Sequence, residues 1–169
     1  PKLLILDEPT SGLDPMVRRQ FLESMVDRAA TGRTVLLSSH QISEVERVAD
    51  WVAIVHAGKV KIVQPLAALK SSTSIVTATL EHSDAVPPMP GGTVLTESQN
   101  GRQIRWLITD LADDWQKDFD ESESIISVNR VPATLEEIFV AVCDDRARRP
   151  STNLKQIQSN SDKSNGVIA

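Results

Sequence analysis

The chain has 169 residues, room for one domain or one domain with a small appendage. It is 40% hydrophobic and 24% charged, which excludes a wholly disordered, collagen-like or membrane-embedded chain. The net charge of −5 argues against a general nucleic-acid binder, and the single cysteine, Cys143, excludes an internal disulfide and a cysteine-based zinc site.

Charge divides the chain into three parts: residues 1–70 at net +1, 71–143 at −8 and 144–169 at +2. The first residue is Pro1, and a buried-strand pattern follows at once, so the sequence reads as a piece of a longer chain. Leu3-Leu4-Ile5-Leu6 is a continuous apolar run, expected of a strand buried on both faces. Asp14 is placed to cap a helix with Pro15 at its first position. Val17, Phe21, Leu22, Met25, Val26 and Ala29 form its apolar stripe, and Gly32 ends it. Thr34 to Ser38 is a second buried strand. Val45, Val48 and Ala49 mark a short helix. Trp51 to Val55 and Val60 to Val63 read as a hairpin around Ala57-Gly58. Strand, helix, strand, helix predicts a parallel sheet in an α/β fold.

Beyond residue 70 the rhythm changes. Val76, Ala78 and Leu80 alternate with polar residues, as in a half-exposed strand. Pro87 to Gly92 is a loop. Ile104, Trp106 and Ile108 alternate again. Leu111, Trp115 and Phe119 fit a short helix, and Ile126 and Val128 another strand. Thr134 and Glu137 form a capping box ahead of Leu135, Ile138, Phe139 and Val142 at helical spacing. The pattern predicts a small accessory α+β domain over 71–143. The tail from 144 to 169 is polar and without an apolar period, which predicts disorder.

Asp7 and Glu8 follow directly after an apolar strand. In open α/β sheets ligands bind at the carboxyl ends of strands. One acid there can orient a hydrated Mg²⁺ while the other faces a water molecule. Two such acids can equally do no more than end a strand and open the turn at Pro9. His40, taken by itself, can be an ordinary polar loop residue.

The segment Leu6 to Pro15 reads L-D-E-P-T-S-G-L-D-P. It resembles the Walker B motif and adjoining D-loop of ABC ATPases. Leu36-Leu37-Ser38-Ser39-His40 resembles the strand and switch histidine of the same family, 33 residues after Asp7. Glu44-Val45-Glu46, Ala49-Asp50 and Gly58-Lys59-Val60 continue the likeness. Trp51 departs from it, standing where the family commonly has arginine. The resemblance implies a partial P-loop NTPase sheet with ATP and Mg²⁺ as cofactors. It implies Asp7 as the Mg²⁺-supporting acid, Glu8 as the general base toward the attacking water and His40 at the γ-phosphate. It implies Ser11 and Asp14, with Gly12 and Leu13, as a D-loop at the nucleotide and a second subunit.

No G-x-x-x-x-G-K-[ST] phosphate loop occurs in these 169 residues; at Gly58-Lys59, Ala53 and Val60 take the other required places. No LSGGQ-like signature precedes Asp7, and the chain has no tyrosine. The resemblance is thus to the C-terminal part of an ABC transporter ATP-binding protein. Pro132 to Val142 (PATLEEIFVAV) is similar to the closing segment of ATPase subunits of bacterial multidrug and sodium-efflux exporters. That implies an exporter-type ATPase working as a dimer with separate transmembrane permease subunits and no nucleic acid. It would lie in the cytoplasm, on the inner face of the cell membrane. The alternatives are a non-transport ABC ATPase and an inactive truncated remnant. The acidic second part disfavours the former.

Overall fold

In the computed structural model, residues 2–144 are described. The expected disorder of the tail falls, from residue 145 on, outside the described residues.

The first apolar run forms β1 (Leu3–Asp7), and Thr34–Ser38 forms β2. They pair in parallel, with Leu3 opposite Thr34 and Asp7 opposite Ser38. Between them runs α1 (Pro15–Ala30). Asp14 caps it as expected: Oδ1 accepts from the backbone N–H of Met16 at 2.9 Å and Val17 at 3.1 Å. Leu22 and Met25 are buried, whereas Val17 and Val26 of the predicted stripe are exposed. The strands also differ from expectation. Leu4, Leu6, Val35 and Leu37 are half-buried, but Leu3, Ile5 and Leu36 on the opposite face are 50%, 66% and 58% exposed. A two-stranded sheet with a single helix has cover for one face only.

Next come α2 (Ile42–Val48) and the hairpin of β3 (Trp51–His56) with β4 (Lys59–Pro65). Ala57 and Gly58 both take positive φ, 49° and 70°, the signature of the two-residue turn that matches strand twist. The helix α3 (Leu66–Ser72) was not foreseen. It is followed by β5 (Thr73–Leu80), β6 (Thr93–Asn100) and β7 (Gln103–Thr109). Then follow a four-residue α4 (Lys117–Asp120), β8 (Ile125–Pro132) and α5 (Leu135–Cys143). β6, β7, β5 and β8 form, in that order, an antiparallel sheet. The fold class is therefore mixed α/β, a parallel pair followed by an α+β unit.

β5 is not half-exposed. Strand neighbours flank it on both edges, and two apolar clusters take its two faces. Val76, Ala78 and Leu80 join Ile104, Trp106, Ile108, Trp115 and Phe119 on one side. Ile75 joins Leu107 and residues of β3, α3 and α5 on the other, with Ile42, Val45 and Ala49 packed at the margin. The second cluster draws residues from both sides of residue 70. It also fixes α2, the helix that follows His40, against the body of the protein. Gly92 sits where the chain enters β6. A Cβ there would meet the carbonyl oxygens of Thr109 and Asp110 at 2.6 and 2.9 Å.

The capping box on α5 is present in full: Thr134 Oγ1 accepts from Glu137 N–H, and Glu137 Oε2 accepts from Thr134 N–H at 2.9 Å. Burial pushes the Glu137 carboxyl up. The backbone and hydroxyl of Thr134, then Arg105, pull it down by more, so it lies below its ordinary value. A depressed carboxyl stabilises the fold above its unfolded pKa and loses that contribution as pH falls through the folded one. Thr134→Ala is thus expected to cost about 1 kcal/mol at neutral pH. The difference between Thr134→Ala and the parent should shrink in acid. Urea unfolding followed across the acid range checks both.

Candidate functional site

Parallel pairing brings the carboxyl ends of β1 and β2 to one edge, and the chemistry-bearing residues stand there. Ser38 is the register partner of Asp7, and its hydroxyl donates to Asp7 Oδ1. The Glu8 N–H donates both to Ser38 Oγ at 3.1 Å and to the Ser38 carbonyl at 3.2 Å. Glu8 has φ +44°, in the left-handed region that costs a non-glycine residue about 1–2 kcal/mol. The chain reverses there, and the Glu8 carbonyl accepts from Ser11 N–H at 3.1 Å. Glu8 Oε2 then lies 2.8 Å from His40 Nδ1. An ionised carboxylate only accepts, which selects the tautomer with the proton on Nδ1. The His40 side chain is 70% exposed, leaving its Nε2 edge open to a ligand. Asp7, Glu8 and His40, three of the sequence-predicted residues, are thus held in one cluster.

Ser11 and Asp14 stand apart. They lie on the turn between Glu8 and α1, and Asp14 uses its carboxylate to cap that helix. Among the described residues neither side chain hydrogen-bonds to Asp7, Glu8 or His40; Ser11 meets Glu8 only through the backbone bond of the turn.

A second set was assigned no role from sequence. Thr10 and Glu44 are both buried, and Thr10 Oγ1 donates to Glu44 Oε2 at 3.0 Å. Arg18 Nε pairs with Glu44 Oε1 at 3.0 Å, as an ion pair without hydrogen-bond alignment. The Arg18 guanidinium also donates to Gln41 Oε1 at 2.6 Å and to the Leu13 carbonyl at 3.1 Å. The turn after Glu8, the start of α1 and the segment after His40 are therefore tied together. Glu44 lies on α2 beside the apolar Val45 and Val48, and that placement is the one sequence hint of its burial.

Among the described residues no group of three or more His, Cys, Asp or Glu is arranged to hold a metal ion. One carboxylate is what Mg²⁺ requires at a phosphate site, since waters and phosphate oxygens supply its other ligands. Asp7 is exposed at the strand end with a single oxygen engaged by Ser38, so it fits that need. A shallow concavity of about 410 Å³, lined by Ser24, Asp27, Arg28, Thr31 and Arg33, lies around the far end of α1 and includes none of these residues.

Part of the sequence is similar to known proteins. A family profile described as "AAA domain, putative AbiEii toxin, Type IV TA system" matches residues 1–46, the stretch that holds Asp7, Glu8, Ser11, Asp14 and His40. A lantibiotic transport ATP-binding protein of Streptococcus pyogenes is 47% identical over 60 residues, covering 36% of this chain and 26% of that protein. An energy-coupling factor transporter ATP-binding protein of Symbiobacterium thermophilum is 50% identical over 60 residues, covering 36% and 21%. A fluoroquinolones export ATP-binding protein of Mycobacterium tuberculosis is 40% identical over 74 residues, covering 44% and 25%. The chain spans about a quarter of the length of these curated relatives. The family profile and the relatives alike are of ATPase type. Over the matched part of its length, the chain is similar to ABC transporter ATP-binding proteins.

Proposed function

We propose that this chain is part of an exporter-type ABC ATPase subunit, one that couples ATP hydrolysis to transport. The observation that carries the reading is the cluster of Asp7, Glu8 and His40 at the carboxyl edge of a parallel strand pair. Phosphoryl transfer is catalysed by positioning and charge stabilisation, and this cluster offers the needed groups. Asp7 would hold hydrated Mg²⁺, which neutralises charge on the phosphates when bound. Glu8 would take the proton of the attacking water. His40 would meet the γ-phosphate through Nε2. With Nδ1–H turned to Glu8, a hydrogen bond from Nε2 requires a ring protonated on both nitrogens. Ser11 and Asp14 would face a second ATPase subunit across the nucleotide.

The export and transport functions in the relatives' names support separate membrane permease subunits as partners. Among the described residues no helix is long and apolar enough to cross a membrane. We place the subunit in the cytoplasm, at the inner membrane face, with no nucleic-acid partner. Residues 1–70 would be the nucleotide-domain part, 71–143 an accessory unit and 144–169 a tail.

These 169 residues hold no glycine-rich phosphate loop, whose backbone N–H groups and lysine supply most anion contacts. Taken alone they are expected to bind Mg-ATP weakly or not at all by titration calorimetry. Micromolar affinity would show that the cluster binds nucleotide by some other means. In the subunit with its phosphate-binding half in place, Asp7→Asn should raise the Mg²⁺ requirement and His40→Ala should slow turnover. Unmodified steady-state hydrolysis in both would sink the reading.

A further inference from the structure

We propose that Ser38 is a positioning residue for ATP hydrolysis, holding the metal-side and water-side acids in fixed relation; this rests on the functional reading above. Its hydroxyl does two things at once. It donates to Asp7 Oδ1 and accepts from the backbone N–H of Glu8 at 3.1 Å. The Ser38 carbonyl takes the same N–H at 3.2 Å.

Each bond has a chemical consequence. With Oδ1 engaged, the Asp7 carboxylate cannot spin freely, and Oδ2 is the oxygen left for a hydrated cation. Groups that hydrogen-bond a ligating carboxylate orient it and tune its basicity. With its N–H held by β2, Glu8 stays at φ +44°, a conformation that persists only where its surroundings enforce it. That reversal delivers Oε2 to within 2.8 Å of His40 Nδ1. His40 itself lies two residues beyond Ser38 on the same strand exit. The hydroxyl therefore links the two acids directly and reaches His40 through Glu8. The parallel pairing makes this possible, because Ser38 is the residue directly opposite Asp7. The hydroxyl is at an exposed strand end, so packing gives no reason for it.

The test uses the ATP-binding subunit with its phosphate-binding half in place. Steady-state phosphate release is measured against Mg²⁺ and against ATP for the parent, Ser38→Ala, Ser38→Thr and Glu8→Gln, with thermal midpoints for all four. Ser38→Ala is expected to lower kcat by about 10-fold, the low end of the effect of losing a partner of a ligating group. It should shift the Mg²⁺ half-saturation upward and leave KM for ATP near the parent value. Ser38→Thr, which keeps the hydroxyl, should recover most of the loss. A parent-like kcat and Mg²⁺ curve for Ser38→Ala, beside a slow Glu8→Gln, overturns the proposal and leaves the catalytic reading intact. Equal loss in the alanine and threonine variants overturns it too, since side-chain volume would then be the cause. So does a Ser38→Ala loss that tracks a fall in thermal midpoint with no Mg²⁺ shift. A parent-like rate for Glu8→Gln removes the catalytic reading and this proposal together.

Discussion

Glu8→Gln, made in the subunit with its phosphate-binding half in place, is expected to slow ATP turnover by about 10²–10⁴-fold, the usual contribution of a general base. Glutamine keeps the shape and can still meet His40 Nδ1, but it cannot accept a proton. The turn at φ +44° depends on the Glu8 backbone and should survive the change. Asp7 and its bond from Ser38 are untouched, so ATP binding should remain. Bound and unhydrolysed ATP would then hold two subunits together, with the Ser11–Asp14 turn across the interface. Phosphate release and the mass of the subunit with ATP check both halves of the expectation. Turnover at the parent rate would make Glu8 a strand-end acid and nothing more.

Trp106→Ala should give the largest loss of stability, about 3–5 kcal/mol. The indole is fully buried in the centre of the antiparallel sheet. Its ring meets Phe119 edge-on at 5.9 Å between centroids, and Phe119 meets Trp115 in the same way. Its Nε1–H donates to Glu97 Oε2 at 2.9 Å across the β6–β7 pair. Truncation therefore opens a large cavity, breaks an aromatic chain and removes one side-chain tie to β6. Because domains are stable by only about 5–15 kcal/mol, the change should bring the sheet near its unfolding limit. Trp51→Ala is the control: that ring is 63% exposed, and its loss should stay within about 0.5 kcal/mol. Urea midpoints of the two variants should differ widely. Equal midpoints would mean that the sheet is not organised around Trp106.

Local signals in the sequence were followed closely by the chain. Asp14 before Pro15, the Thr134–Glu137 box and the Ala57-Gly58 turn each act through bonds within a few residues. Each appears where its residues predict it. The ten residues from Leu6 and the strand ending at His40 also pointed to the ABC transporter ATP-binding proteins among the relatives, because motif spacing is a linear property. Two whole elements escaped. α3 (LAALKSS) is seven residues long and uncapped by any side chain. β6 (TVLTESQN) is an edge strand with little buried side-chain surface, so it leaves no period of 2 to read.

Burial was the other thing the linear pattern could not decide. Leu3, Ile5 and Leu36 read as doubly buried, yet one face of the β1–β2 pair is open. β5 reads as half-exposed, yet its alternate residues serve two different clusters. An alternating pattern tells which residues share a face, whereas what covers that face depends on elements distant in sequence. The site follows the same division. The sequence by itself singled out Asp7, Glu8 and His40 through their motifs. Only the tertiary structure decided that Ser38 bridges the two acids and that Arg18, Thr10 and Glu44 tie the flanking segments. Those bonds span 23 to 34 residues and form only when parallel pairing sets Ser38 opposite Asp7 and α1 brings Arg18 beside α2.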